Sequence, residues 1–260
     1  MLFRSGMKKR ILSLLLALMM VVLLLPVTAL AAETGIDTSA LDMEYYGRYR
    51  DKGYSISVYN CGEYIHDVVG PLGVATEYDE GIKRVAVVGG GVGCAIAYPQ
   101  AKKLHNMGVE VDLIAGFRSK DIVILEDEMG KASSHLHICT DDGSYGYHGF
   151  VTNKLQELID GGAKFDEVIA IGPVPMMKFV CKVTKPYDIK TLVSLNPIMI
   201  DGTGMCGGCR VTVDGKIKYA CVDGPDFDGQ KVDFDELMRR NSTYKEQEKA
   251  HLCRLTGGVR

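Results

Sequence analysis

The sequence predicts an α/β fold in which a doubly wound, parallel, five-stranded sheet is followed by a small cysteine-containing domain. Three observations predict it. Short apolar stretches alternate with amphipathic stretches between Lys83 and Leu195, which is typical of strands and helices in a parallel sheet. A glycine-rich turn, Gly89–Gly93, follows the first apolar stretch. Beyond the last one, three cysteines lie close together in a glycine-rich segment.

The predicted elements follow in chain order. Strands are expected at 83–88, 110–117, 135–140, 167–171 and 190–195. Helices are expected from the glycine turn to about Met107, and at 120–131, 150–160 and 174–184. A hairpin spans Arg210–Cys221, because its Asp214-Gly215 dipeptide favours the tight turn between antiparallel strands. A charged helix from Met238 to about Leu252 completes the fold.

The cysteine segment predicts a metal centre. Cys206 and Cys209 are separated by two residues, and the hairpin returns Cys221 to the same place. Such thiolates select zinc or an iron–sulfur cluster; three buried cysteines beside a hairpin are the structural alternative. Zinc sites usually close with four Cys or His ligands, yet here one close pair occurs and no His lies between residues 149 and 250. A [2Fe–2S] cluster accepts a ligand other than Cys, so the sequence favours the cluster.

The glycine turn predicts a phosphate site. Between a strand and a helix, backbone N–H groups and the helix dipole face a bound anion. The turn departs from the G-x-G-x-x-G pattern, and no acidic residue ends the second strand. Arg118, Ser119 and Lys120 follow that strand instead. Basic side chains there could pair with a ribose 2′-phosphate, which favours NADP(H) over NAD(H); a solvated basic turn is the alternative.

Composition and charge exclude little. A chain of 260 residues can form one large or two modest domains. Its net charge of −3 gives no reason to expect a nucleic-acid partner. The cysteines outside the motif are scattered in apolar or helical surroundings, as buried free thiols are in proteins of a reducing compartment. They are Cys61, Cys94, Cys139, Cys181 and Cys253.

The amino terminus, in contrast, predicts export out of the reducing compartment. A basic start is followed by the apolar run Ile11–Leu25 and by small residues at Ala29-Leu30-Ala31, the pattern of a secretory signal peptide over residues 1–32. Residues 33–52 are polar and are expected to be irregular, and Ser55–Ile65 is expected to form a strand and a turn. This piece resembles the mature start of periplasmic polyamine-binding proteins, with Cys61 in place of a Trp. Residues 33–65 are therefore interpreted as a foreign segment.

Motifs after residue 66 carry a second resemblance. The glycine turn, Arg118–Asp121, Asp141–Gly146, Gly172–Met177 and the cysteine motif with Val222–Pro225 occur in this order. Together they resemble the ferredoxin–NADP reductase superfamily, specifically the electron-transfer subunit of dihydroorotate dehydrogenase. The nearest branch contains the small subunit of NADH-dependent reduced ferredoxin:NADP oxidoreductase, also called sulfide dehydrogenase. The similarity covers about residues 66–250, and Ile96 departs from it where relatives often have Pro.

The resemblance implies domains and site residues. It implies an NAD(P)-binding domain at 81–197 and a [2Fe–2S] domain with a C-terminal helix at 198–252. In that branch an Asp replaces one Cys ligand, and Asp201 stands at the matching position. The implied cluster ligands are Asp201, Cys206, Cys209 and Cys221. The implied NAD(P) contacts are Gly89, Gly90, Gly91, Gly93, Arg118, Ser119, Lys120, Asp141, Gly143, Gly172, Pro173 and Met176. None of these residues is expected to perform acid–base chemistry.

The implied function is electron transfer. Electrons would pass from NAD(P)H through FAD and the cluster to a catalytic flavoprotein subunit, similar to dihydroorotate dehydrogenase or to the small subunit of glutamate synthase. Family members carry an N-terminal barrel that holds FAD, but only a remnant at 66–80 is expected here. Little or no FAD is therefore expected in the isolated chain.

The N-terminal departure leaves alternatives open. The chain is interpreted as a chimera of an exported leader and a truncated reductase subunit. An exported solute-binding or metal-binding protein and a chimera without function are the alternative hypotheses. The family chemistry predicts a cytoplasmic protein, whereas the leader predicts export, and any membrane contact would be made through the leader.

Overall fold

The computed structural model describes the backbone of residues 44–51, 54–60, 68–70 and 72–255, and the side chains of residues 72–251. The chain divides into two units, Met1–Pro71 and Leu72–Arg260. The predicted signal peptide at 1–32 lies outside the described residues. Across the residues that are described, no helix has both the length and the apolar character needed to cross a membrane.

The first unit contains an antiparallel sheet of three described strands. Strand β1 (Glu44–Asp51) pairs with β2 (Tyr54–Asn60), which pairs with β3 (Val68–Gly70). The strand predicted within 55–65 is therefore present as β2. The prediction of an irregular 33–52 is wrong for β1, because its tyrosines favour a strand and β2 pairs with it along its length, with one register shift between Tyr45 and Gly47.

The second unit is built on a largely parallel sheet. Strands β4 (Arg84–Gly90), β5 (Glu110–Phe117), β6 (His135–Thr140), β8 (Glu167–Ile171) and β9 (Lys190–Ser194) confirm the five predicted strands. They lie in the order β9-β8-β4-β5-β6 and are parallel to their neighbours. Two short strands extend the edges: β7 (Tyr147–His148) beside β6, and β12 (Asp226–Asp228) antiparallel to β9. The sheet of this unit thus has seven strands rather than five.

Helices cover both faces of this sheet. Helices α1 (Gly93–Asn106) and α2 (Glu126–Lys131) contribute Leu104 and Met129 to the core on one face. Helices α3 (Val151–Asp160) and α4 (Val174–Thr184) contribute Leu155 and Met177 to the core on the other. Parallel strands between two helical layers are buried on both sides, which explains why β4 and β8 are almost continuously apolar. The predicted doubly wound fold is confirmed.

One predicted helix is broken. The stretch 120–131 forms a short 3-10 turn at Lys120–Ile122 and then α2, instead of one continuous helix. Leu125 has a positive φ of 54°, so the chain reverses there before α2 begins. The prediction of a single helix was wrong because the amphipathic pattern does not reveal a backbone reversal.

The C-terminal part follows the sheet. Strands β10 (Arg210–Val213) and β11 (Lys216–Tyr219) form the predicted hairpin, with positive φ at both Asp214 and Gly215. A short helix α5 (Ala220–Asp223) leads into β12, and helices α6 (Phe234–Asn241) and α7 (Lys245–Leu255) follow. The single helix predicted from Met238 is therefore two helices. Hydroxyls of Ser242 and Thr243 donate to the carbonyls of Arg239 and Arg240, each at 2.7 Å, and end α6.

Candidate functional site

A large cavity opens at the carboxyl edge of the parallel sheet. Its volume is about 1030 Å³. The turns after β4, β5, β6 and β8 and the segment after β9 form its walls, as expected for the ligand crevice of a doubly wound sheet. It is lined largely by apolar side chains and by glycine backbone, so a ligand there meets few fixed charges.

The glycine turn after β4 forms one wall of this cavity. A Cβ atom on Gly93 would lie 2.4 Å from the carbonyl oxygen of Ile171, so only glycine lets the start of α1 approach β8 this closely. Gly91 has a positive φ of 56°, which turns the chain from the strand into the helix. In the first turn of α1 the N–H groups of Cys94 and Ala95 donate to the carbonyls of Gly91 and Val92, which leaves the N–H groups of Val92 and Gly93 for a ligand. No acidic residue lies in this turn. This end of the cavity therefore suits a negatively charged phosphate group.

The structure brings most of the predicted nucleotide contacts to this one cavity. The predicted contacts that line it are Gly90, Gly91, Gly93, Arg118, Asp141, Gly172, Pro173 and Met176. The remaining four predicted contacts, Gly89, Ser119, Lys120 and Gly143, are not among its lining residues.

Local packing explains two of these four positions. Gly89 faces the first turn of α1, where an added Cβ would lie 2.8 Å from the sulfur of Cys94. The ammonium of Lys120 lies 5.2 Å from the centre of the Tyr145 ring, and its backbone N–H donates to Ser144 Oγ at 2.8 Å. Of the basic residues in the predicted 2′-phosphate site, Arg118 is thus the one that lines the cavity.

Sequence reasoning missed several lining residues. Phe150, just before α3, is 62% exposed, and Phe179 on α4 is 54% exposed. Each had been assigned to a helix, and helical periodicity does not show that a large apolar side chain remains uncovered. The lining residues that were not predicted as nucleotide contacts are Val92, Ile96, Gly116, Phe117, Ile122, Phe150, Val151, Thr152, Ile171, Pro175, Phe179, Ser194, Leu195, Asn196 and Pro225.

A second site lies in the loop that precedes β10. The carboxylate of Asp201 accepts hydrogen bonds from the backbone N–H groups of Thr203 and Cys206, both at 2.9 Å. The bond from Thr203 is the largest of the effects that hold the pKa of Asp201 below its ordinary range. Gly202, Gly204 and Gly207 have positive φ angles, and the loop folds back on this carboxylate through them. Asp201 therefore stays ionised and shapes the loop.

The three motif cysteines have different environments. Cys206 is exposed, and its sulfur accepts a hydrogen bond from the backbone N–H of Gly208 at 3.3 Å. Cys209 and Cys221 are buried, and their sulfur atoms lie 3.1 Å apart. Burial, followed by the contact with Cys209, raises the pKa of Cys221 to about 11. The free protein therefore holds Cys221 as a thiol, and a metal would have to displace its proton.

The donors are distributed over two neighbouring positions. Within residues 72–251, no three His, Cys, Asp or Glu side chains converge on one point that would hold a single ion. Asp201 and Cys206 instead share the exposed side of the loop, and Cys209 and Cys221 form a buried pair. Three thiols and one carboxylate next to backbone N–H groups form a donor set that suits an iron–sulfur group better than a lone ion.

The segment that follows Cys221 also lines the cavity. Pro225 lines the cavity and stands four residues after Cys221. The carbonyl of Pro225 accepts the backbone N–H of Leu195 at 2.9 Å, which ties the cysteine segment to the end of β9. A metal group held by Cys221 and a ligand in the cavity would therefore both lie next to the segment 221–225.

Several known proteins are similar to this chain. The profile described as the iron-sulfur cluster binding domain of dihydroorotate dehydrogenase B matches residues 196–233. A dihydroorotate dehydrogenase B (NAD(+)) electron transfer subunit homolog of Thermotoga maritima is 49% identical over 196 residues, which are 75% of this chain and 68% of that protein. A dihydroorotate dehydrogenase B (NAD(+)) electron transfer subunit of Clostridium perfringens is 34% identical over 172 residues, 65% of this chain and 66% of that protein.

A solved structure is also similar. It comes from a study of flavin-based electron bifurcation by NADH-dependent reduced ferredoxin-NADP oxidoreductase, and the two chains share 40% of their residues. The match covers 80% of this chain and 85% of the other, with a TM-score of 0.67.

Proposed function

Because the chain belongs to the family of dihydroorotate dehydrogenase B electron transfer subunits, we propose that, in the assembled enzyme, it passes electrons between a nicotinamide dinucleotide, FAD and a [2Fe–2S] cluster, and from the cluster to a partner subunit. It is a subunit of an oxidoreductase, with an iron–sulfur binding domain near its C-terminus. The observation that carries the proposal is the adjacency of Cys209 and Cys221 beside the Asp201–Cys206 loop.

The ligands of the cluster follow from the two pairs. We propose that Asp201 and Cys206 hold one iron and that Cys209 and Cys221 hold the other. Their spacing matches the plant-type C-x4-C-x2-C…C pattern with Asp201 in the first position. The glycines of the loop let backbone N–H groups approach the cluster sulfides. A bound cluster would supply one-electron transfer, and the exposed Cys206 would mark the side from which electrons leave.

The cavity is proposed to hold the nicotinamide dinucleotide. The N–H groups at the start of α1 would bind the pyrophosphate, and the turn at Gly172–Met176 would bind another part of the dinucleotide. Arg118 would lie near the adenosine end, which keeps NADP(H) as the favoured nucleotide. Asp141 lines the same region and would instead accept ribose hydroxyl groups. These residues orient the nucleotide, and none of them needs to exchange a proton.

The surface around the cluster loop suits a protein partner. Met205 is 89% exposed, Ile200 69% and Met199 51%, beside the exposed Cys206. Apolar side chains grouped in this way are typical of interaction sites. We propose that a catalytic flavoprotein subunit docks here, either dihydroorotate dehydrogenase-like or glutamate synthase small-subunit-like. We propose that this work takes place in the cytoplasm, where nicotinamide dinucleotides and iron–sulfur assembly are found, although the predicted leader favours export.

FAD remains a separate prediction. A hydride from a nicotinamide dinucleotide carries two electrons and a [2Fe–2S] cluster accepts one at a time, so the proposed route needs a flavin between them. The side chains of residues 1–71 lie outside the described residues. We propose that the isolated chain retains little FAD. Flavin released by acid from the purified chain would measure this, and one flavin per chain would contradict it.

The cluster is tested on the full-length chain purified without oxygen. We expect two irons and two sulfides per chain, and a paramagnetic signal by electron paramagnetic resonance (EPR) after reduction with dithionite. Cys206→Ser should change that signal. A colourless protein with one zinc per chain, or a spectrum that Cys206→Ser leaves unchanged, would overturn the proposed function. Titration with NADP⁺ and NAD⁺, followed by calorimetry, would compare the nucleotides.

A further inference from the structure

The C-terminal end of α6 touches the cysteine loop. Arg240 Nη2 donates a hydrogen bond to the carbonyl oxygen of Gly208 at 3.2 Å, and the side chain is partly buried. Helix α6 is fixed in place at its start, where Asp233 Oδ1 accepts the backbone N–H of Glu236 at 2.9 Å. Phe234 and Leu237 of the same helix are buried in the core. The guanidinium is therefore held against the loop by a rigid element.

Gly208 connects this guanidinium to a predicted ligand. Its carbonyl accepts from Arg240, and its own N–H donates to the sulfur of Cys206. The next residue is Cys209, whose carbonyl accepts the backbone N–H of Ala220 at 3.2 Å. Movement of the Gly208 carbonyl would therefore displace the backbone between the two cysteines. The hydrogen bond from Arg240 Nη2 restrains the position of that carbonyl.

The neighbouring residue makes a parallel contact with the nucleotide cavity. Asn241 Nδ2 donates to the carbonyl oxygen of Asn196 at 3.2 Å, and Asn196 lines the cavity. Adjacent residues of α6 thus hold the cluster loop and the segment that leads from β9 toward Asp201. This double contact indicates that the end of α6 sets the relative position of both segments.

We propose that Arg240 is a positioning residue that holds the loop between Cys206 and Cys209 and raises the reduction potential of the cluster bound there. The inference rests on the proposed function, because it requires the cluster. Arginine keeps its charge at all relevant pH values. Reduction adds negative charge to the cluster, so a cation fixed beside the loop stabilises the reduced form, and net charge and hydrogen bonds are known determinants of cluster potential.

Arg239 offers a matched control. It is adjacent in sequence and carries the same charge, but it is exposed, and it interacts electrostatically with Asp235. Arg239→Gln and Arg240→Gln therefore remove the same net charge. A difference between these variants reports the contact with Gly208.

The experiment is an EPR-monitored redox titration of the full-length chain, together with the rate of iron loss to a chelator. We expect a lower midpoint potential and faster iron loss in Arg240→Gln, and wild-type values in Arg239→Gln. Arg240→Lys should keep most of the potential and still lose iron faster, because lysine keeps the charge without the planar guanidinium. Equal potentials and equal iron loss in the two glutamine variants would overturn the inference.

Two further outcomes are decisive. If Arg240→Gln does not fold by circular dichroism, Arg240→Lys becomes the test, and iron loss at the wild-type rate would overturn the inference. A wild-type chain without iron or signal contradicts the proposed function itself. A wild-type chain with a normal signal and an unaffected Arg240→Gln contradicts only the role of Arg240.

Discussion

The sulfur atoms of Cys209 and Cys221 lie 3.1 Å apart although they are twelve positions apart in the chain. The β10–β11 hairpin produces this approach, because its register pairs Arg210 with Tyr219 and so brings the residues on either side of that pair together. The pair is buried, and its separation is set by backbone hydrogen bonds rather than by flexible side chains. The hairpin therefore preorganises the two proposed ligands before any metal is present.

Replacement of Cys221 is expected to abolish stable iron binding. Cys221→Ser would leave the buried sulfur of Cys209 without its neighbour, and serine oxygen is a poor ligand for iron–sulfur clusters. Iron and sulfide content of the purified chain measures the effect. Cys181→Ser is the control, because Cys181 is also buried but lies on α4. Normal iron in Cys221→Ser would show that this residue is not a ligand.

Replacement of Asp201 separates its two roles. Asp201→Ala should lower iron retention by about tenfold or more, because it removes the proposed ligand and both backbone contacts that shape the loop. Asp201→Cys should retain a cluster with an altered EPR signal, because a thiolate can replace the carboxylate. Iron retention in Asp201→Ala equal to that of the wild type would contradict the assignment.

A methyl group on Gly93 is expected to impair nucleotide binding. The added Cβ would meet the carbonyl of Ile171 at 2.4 Å, so α1 must move away from β8 and its N–H groups lose their position. Gly93→Ala should raise the dissociation constant for NADP⁺ by about tenfold or more, as a loss of about 1.4 kcal/mol would. Gly130→Ala is the control, because its Cβ would meet Leu136 at an ordinary 3.8 Å. Calorimetry measures both, and unchanged binding in Gly93→Ala would place the phosphate elsewhere.

The buried carboxylate of Asp112 is expected to stabilise the sheet. It lies 2.9 Å from Arg84 Nε and 3.2 Å from His137 Nε2, and its side chain is 1% exposed. Burial acts to raise the pKa of Asp112, but the hydrogen bonds from His137 and Arg84 outweigh it and lower the pKa. Asp112→Ala should cost about 3 kcal/mol of unfolding free energy. Glu110→Ala removes the exposed neighbour of Arg84, at 3.3 Å, and should cost less than about 1 kcal/mol.

The pH dependence of this effect has a defined sign. Because the folded state lowers the pKa of Asp112, its contribution is present above the ordinary value of 3.8 and is lost as the pH falls through the folded-state value. Urea unfolding of wild type and Asp112→Asn at several pH values measures it. The difference between them should shrink below pH 4 or so; a difference independent of pH would contradict the role of the charge.

The contribution of Glu167 to stability is expected to change with pH in the opposite direction to that of Asp112. Its side chain is buried, and among the described residues neither carboxylate oxygen has a hydrogen-bond partner; Lys190 Nζ lies 3.6 Å away from Oε1. Burial raises the pKa of Glu167 above its ordinary 4.5. The folded state therefore holds the proton more tightly, and stability is lost as the pH rises from 4.5 through the folded-state value. Glu167→Gln should add about 1 kcal/mol at neutral pH and little in acid, as urea unfolding would show; destabilisation at neutral pH would contradict this.

Local pattern was sufficient for the elements of the parallel sheet. Short apolar runs such as Val168–Ile171 of β8 are typical of strands buried between two helical layers, and the glycine turn follows the first of these strands. The cysteine motif was equally local, because an Asp-Gly hairpin turn fixes which residues face each other. The same reasoning failed for β1 and for the helix at 120–131, where pairing and backbone reversal decide the conformation.

The sequence by itself determined which chemical groups this protein carries: a set of cysteines with one aspartate, and a glycine turn at a strand end. Only the tertiary structure decided which of them meet. It placed Phe150 and Phe179 at the cavity and the ammonium of Lys120 over the Tyr145 ring. It also paired β12 with β9 at the edge of the parallel sheet and brought the guanidinium of Arg240 to the carbonyl of Gly208. Such contacts connect residues that are distant in the chain, and their geometry depends on how whole elements pack, which no local spacing encodes.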